Sequence, residues 1–191
     1  MRFARTLSPR LAATICLTIT APAFASDGLE ALAQPGRVLM LRHANAPGYG
    51  DPPGFRIGDC RTQRNLDERG RAQARATGER LRALGIREAR IYSSQWCRAL
   101  ETARLLGLGE VRELPALNSF FQGHAEREPT LATLRDFLAR QTADGSPLIL
   151  VTHQVVINAF AEEVPASGGG SIFALDGTGG LRWIAATRPV R

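Results

Sequence analysis

Two uninterrupted apolar runs, Val38-Leu39-Met40-Leu41 and Leu148-Ile149-Leu150-Val151, constrain the fold most strongly. A short run with no polar alternation suits a strand covered on both faces, as in a parallel sheet between helices. Each run passes directly into a polar pair, Arg42-His43 in the first case and Thr152-His153 in the second. A third segment, Ile91-Tyr92-Ser93-Ser94, leads to Arg98 at the start of a helical stripe. In an open α/β sheet, ligands bind outside the carboxyl ends of the strands. Arg42, His43, Arg98 and His153 are therefore expected at one rim. Two guanidinium forks beside two imidazoles suit a phosphate-like anion.

The rest of the pattern alternates in the same sense. A short helix is expected over 29–33, then a first strand over 37–41. Residues 47–60 carry Pro47-Gly48, Pro52-Pro53-Gly54 and Gly58, so they read as an ordered loop over the rim or a mobile lid, the alternative being a passive surface loop, rather than a regular element. Ala74, Gly78, Leu81 and Leu84 recur at helical spacing, which predicts a helix over 67–84 that stops at Gly85. A second strand follows over 89–93. The next helix carries Trp96, Ala99, Leu100, Ala103 and Leu106 and ends at Gly107. Further expectations are a strand over 111–114, a helix over 128–141, a strand over 148–151 and a short helix over 155–162. A final pair of strands, 171–175 and 181–185, flanks the turn Asp176-Gly177-Thr178-Gly179-Gly180. Gly168-Gly169-Gly170 reads as a flexible connection, since no Gly-Lys-Ser/Thr follows to make a phosphate loop. Together these elements predict an α/β fold, a three-layer α/β/α sandwich with a mostly parallel central sheet.

The first 25 residues read as a secretory signal. Arg2, Arg5 and Arg10 form a basic region, residues 11–21 a short apolar stretch, and Ala23-Phe24-Ala25 a cleavage site. That stretch is too short for a permanent membrane helix, so no stable membrane insertion is expected. Cys16 lacks the small residue before it that a lipoprotein signal needs. The expected organisation is a signal over 1–25 and a single domain over 26–191, released to the periplasm or the exterior. Removing the three signal arginines lowers the net charge from +6 to +3, with acids and bases intermixed. Such mixing is no footprint for nucleic acid. Cys60 and Cys97 remain, and in an oxidising compartment such a pair suggests a disulfide, the alternative being two separate thiols. The three histidines and two cysteines lack zinc-ligand spacing, so neither metal nor other cofactor is expected.

The same segments resemble a known family. Arg42-His43-Ala44 after an apolar strand is similar to the Arg-His-Gly signature of the histidine phosphatase superfamily, which has the phosphoglycerate-mutase-like fold. Asn65 to Ala74 resembles its Leu-Thr-x-x-Gly-x-x-Gln-Ala helix start. Ser93-Ser94 through Arg98-Ala99 to Thr102-Ala103 resembles its Ser-Ser-x-x-x-Arg-Ala-x-x-Thr-Ala segment, and Val151-Thr152-His153 its second histidine segment. The resemblance implies that His43 is phosphorylated, that Arg42, Arg98 and His153 complete the phosphate pocket, and that no metal takes part.

Two departures from the family pattern stand out. Ala44 replaces a glycine, which raises the question of a left-handed backbone there. The usual leaving-group acid is missing: Ser119 stands at the glutamate position of one branch and Gln154 at the aspartate position of the other. Neither residue can donate a proton at a useful pKa. Glu126, Glu128, Asp51, Asp59 and His124 are the substitutes on offer, each otherwise a surface residue. The short, acidless form resembles the small SixA-like members. Exported relatives that remove phosphate from lipopolysaccharide sugars make an envelope sugar-phosphate, or another phosphorylated small molecule, the expected substrate. A pocket that binds phospho-ligands without turnover is the alternative, and a phosphomutase a more distant one.

Overall fold

A computed structural model describes residues 27–143 and 145–190; the segment read as a signal lies outside them. Six strands form one sheet in the order β3-β2-β4-β1-β5-β6. They are β1 (Arg37–Arg42), β2 (Arg90–Ser93), β3 (Val111–Glu113), β4 (Leu148–Thr152), β5 (Gly170–Leu175) and β6 (Leu181–Thr187). Strands β3, β2, β4 and β1 run parallel, while β5 pairs antiparallel with β1 and β6 antiparallel with β5.

The apolar runs sit where both faces are covered. Leu39, Leu41, Ile149 and Val151 pack with Leu81 of helix α1 (Glu68–Ala83) and Ala103 of α2 (Cys97–Leu105). Val38, Met40, Leu148 and Leu150 point the other way, against Leu134 and Phe137 of α3 (Arg127–Ala139) and Val156 of α4 (Gln154–Ile157). Successive side chains leave a strand on opposite faces, so one unbroken apolar run serves two cores. This is the expected three-layer arrangement.

Local chemistry sets the element ends. Asp67 caps α1 by accepting a hydrogen bond from Gly70 N at 2.7 Å. Gly78 lets α1 close on α2: a Cβ there would lie 2.0 Å from the Leu106 carbonyl oxygen. The β5–β6 turn is tied by Asp176 Oδ1, which accepts from Thr178 N and Gly180 N.

Two expectations fail. The helix predicted over 155–162 regularises for only one turn, Gln154–Ile157. Past Ala161, residues 162–164 are exposed, so no buried stripe continues to hold it. Gly168-Gly169-Gly170 is packed rather than flexible. Gly169 O accepts from Arg42 N at 2.8 Å, Gly168 N donates to His43 O at 3.1 Å, and a Cβ on Gly170 would lie 2.0 Å from Met40 O. Close approach to Met40 O of β1 requires glycine at 170, a Cβ on Gly169 would lie 2.8 Å from Thr187 O of β6, and Gly168 adopts φ 78.

The register brings the rim together. Arg42 lies opposite Thr152 and Ser93 opposite Val151. Beyond the strand ends, His43 N donates to Thr152 O at 3.0 Å and Ser94 N to Val151 O at 2.9 Å.

Candidate active site

All four residues expected at the rim, Arg42, His43, Arg98 and His153, line one cavity of about 390 Å³. His43 is buried at the end of β1. Its Nδ1 lies 2.8 Å from the carbonyl oxygen of Ala44, which can only accept, so Nδ1 carries the proton and Nε2 the lone pair. Arg98 Nε donates to that Nε2 at 3.2 Å. Burial, followed by the charges of Arg98, Arg64 and Arg42, holds the His43 pKa well below the usual imidazole value, against the opposing bond to Ala44. Burial and these charges favour the neutral ring. Ala44 meets the glycine question directly: it is not among the positive-φ residues, and its N–H donates to Thr102 Oγ1 at 3.0 Å.

His153 stands beside it, the ring centroids 5.4 Å apart. Its Nε2 is 2.8 Å from Ser94 Oγ. Burial, then the neighbouring His43 and the three arginines, lowers its pKa well below the ordinary value too. Because α4 is a single turn, its dipole adds little to the site. Arg42 donates from Nη1 to Pro165 O at 2.8 Å, while its Nε is buried without a protein acceptor. A buried donor without a partner is costly, and a bound anion would satisfy it.

Arg98 departs from the expectation in an informative way. Its two terminal nitrogens hold Asp51, Nη1 to Oδ1 at 2.7 Å and Nη2 to Oδ2 at 3.0 Å, in a pair whose side chains are only 4% and 3% exposed. Trp96 Nε1 and Arg64 N also donate to Asp51, at 2.9 and 3.1 Å. Asp51 is thus neither a surface carboxylate nor a proton donor. Burial by itself would raise its pKa, but the bonds from Arg98, Trp96 and Arg64 outweigh it and hold the group ionised. One edge of the guanidinium is locked to a carboxylate; the Nε edge is left facing His43.

The remaining substitutes for the acid are elsewhere. Asp59 caps a short turn and pairs with Arg56 and Arg61, and Glu126 and Glu128 are exposed at the start of α3. None of the three lines the cavity. His124 does, contrary to its reading as a loop residue facing solvent. Its ring lies 4.4 Å from that of Phe55, and its Nε2 is buried without a partner.

Arg64 is the residue that sequence reasoning missed. It lines the cavity, donating from Nε to Gly50 O at 2.9 Å and from Nη1 to Ala46 O. Its place directly before the Asn65–Ala74 segment was the available signal. The loop bearing Asp51 is ordered and anchored: Cys60 and Cys97 form a disulfide, joining it to the first residue of α2 beside Arg98.

The sequence model of the histidine phosphatase superfamily (branch 1) matches residues 38–137. The chain belongs to that superfamily. Among solved structures, the family fold recurs in a SixA of Agrobacterium tumefaciens, 23% identical with a TM-score of 0.56, covering 81% of this chain and 99% of that one. The protein histidine phosphatase SixA complexed with tungstate is 18% identical with a TM-score of 0.58, covering 80% and 97%. These likenesses establish the fold, a phosphoglycerate-mutase-like α/β/α sandwich. In sequence, the mitochondrial serine/threonine-protein phosphatase Pgam5 of Drosophila virilis is 38% identical over 69 residues, 36% of this chain and 21% of that protein. The chain thus spans about a fifth of the curated relative it matches. Membership of that superfamily supports phosphatase activity.

Proposed function

We propose that this protein is an exported, metal-independent phosphomonoesterase that works through a phosphohistidine on His43. The observation that carries this reading is the fixed tautomer of a neutral, buried His43, with its Nε2 lone pair beside the Arg98 guanidinium. Nε2 attacks phosphorus, the ester P–O bond breaks, and the leaving oxygen takes a proton. Water then attacks the phosphohistidine, releasing phosphate and restoring the neutral ring. Arg42, Arg64, Arg98 and His153 surround the equatorial oxygens, where the transition-state charge is spread.

Carboxylic acids give no help to the leaving oxygen, because Asp51 is the one carboxylate among the described residues lining the cavity and it is held ionised. Water and His124 remain as proton sources. That same lack favours the second reading, a pocket that holds phospho-ligands without turnover. Export rests on the sequence of residues 1–25, and the Cys60–Cys97 bridge supports it, since disulfides persist in oxidising compartments. An envelope sugar-phosphate or another small phosphomonoester is the substrate class proposed.

The test is hydrolysis of an activated aryl phosphate in excess EDTA. Turnover undiminished by the chelator supports the proposal. Tight phosphate binding with no turnover would establish the binding-only reading instead, and activity restored only by added metal would remove metal independence.

A further inference from the structure

Around the phosphate floor the cavity has a second, differently built part. Tyr49 is 86% exposed, the most exposed large hydrophobic side chain among the described residues, and it lines this cavity. Its ring meets Phe121, also in the lining, edge to face at 5.3 Å and 86°. The loops carrying them are clasped together, since Asp51 N donates to Gln122 Oε1 at 3.1 Å. Gln122 has φ 59, the one positive-φ residue other than glycine among those described. Such a conformation persists only where surrounding contacts impose it. Arg64 pins the other loop at Ala46 and Gly50 on either side of Tyr49. The exposed ring is held from below and leaves surface facing out.

Charge separates the two parts. Among the described residues lining the cavity, the charged side chains are Arg42, Arg64, Arg98 and Asp51; the three arginines act on His43, and Asp51 is bound to Arg98. Besides Tyr49 and Phe121 the lining includes Ser119, Gln154 and Val155, all uncharged. A second anion on the substrate would have to compete with the Ala46 and Gly50 carbonyls for the Arg64 guanidinium. A flat apolar face would meet an aromatic ring, and hydroxyls would meet Gln154.

We infer that Tyr49 and Phe121 form a leaving-group subsite for an uncharged ring with one flat apolar face, a pyranose phosphate without a second charge. This rests on the phosphomonoesterase reading above and adds the residues that select the ester. Aryl phosphates share the stacking face and serve as probes.

The experiment compares kcat/KM for phenyl phosphate, glucose 6-phosphate, glycerol 3-phosphate and 3-phosphoglycerate in wild type, Tyr49→Ala and Tyr49→Phe. In wild type the two ring esters should exceed glycerol phosphate, with phosphoglycerate poorest. Tyr49→Ala should cost the ring esters about tenfold, mainly in KM, and change glycerol phosphate less than about twofold, while Tyr49→Phe restores the ring preference. A gain for phenyl phosphate without glucose 6-phosphate would overturn the sugar assignment. Equal losses on all four esters, no loss at all, or a wild-type preference for phosphoglycerate would overturn the subsite. Absence of turnover on every ester would instead count against the phosphomonoesterase reading itself.

Discussion

The floor and the wall of the cavity are built by different means. His43 and His153 lie just past the ends of adjacent parallel strands, β1 and β4, and the sheet register alone makes them neighbours. Asp51, Arg64 and Tyr49 come from loop, brought in by a disulfide, a buried ion pair and hydrogen bonds to backbone. The floor should therefore resist change in the loops, while the wall depends on a few specific contacts. Arg98 joins the two, with Asp51 on one edge and His43 on the other.

Breaking that joint gives the largest expected effects. Arg98→Lys should lower kcat/KM for an aryl phosphate by about 10²–10³-fold, since one ammonium cannot hold Asp51 and serve the phosphate together. A loss below about threefold would mean that the fork is not needed. Asp51→Asn keeps the shape but removes the charge from a buried pair. It should destabilise the fold by roughly 3 kcal/mol and lower kcat by about tenfold, as the guanidinium loses its aim. Denaturant melts and steady-state rates measure both, and full activity in a destabilised variant would reduce Asp51 to a structural role.

Loss of the disulfide tests the wall alone. The bridge spans a separation of 37 residues, and removing it should cost about 4 kcal/mol in the chain-entropy model. Cys60→Ser/Cys97→Ser should melt earlier and lose activity on ring esters before it loses phosphate binding. Equal loss of both would show that floor and wall are not separable.

The mildest effect is one of pH. Both pocket histidines have depressed pKa values, so the unfolded chain takes up protons near pH 6.5 that the folded chain refuses. Stability from this source is complete above the unfolded value near 6.5 and declines as the pH falls below it. NMR titration should show both rings neutral at pH 6.5; protonation in the ordinary imidazole range would contradict the arrangement.

How much could be read from the chain follows the same division. Periodicity and strand-end logic point Arg42, His43, Arg98 and His153 to one rim, and the structure brings the four into one cavity, because parallel strand ends converge whatever the loops do. Asp51 was misplaced: its burial depends on Trp96, Arg98 and the Arg64 backbone, contacts far along the chain with no local signature. Gly168 to Gly170 deceived for a related reason. Glycine suits both a free linker and a tight backbone approach, and only the positions of β1 and β6 decide between them.

The central claim is that His43 carries the phosphoryl group. The most direct measurement is acid-resolved trapping of the labelled protein after brief exposure to a radiolabelled phosphomonoester in EDTA, in wild type and His43→Ala. The account predicts an acid-labile, base-stable label on wild type, none on the variant, and turnover reduced by about 10⁴-fold or more in the variant. Label that persists in His43→Ala, or a wild type that turns over substrate with no phosphoenzyme under any quench, would contradict it.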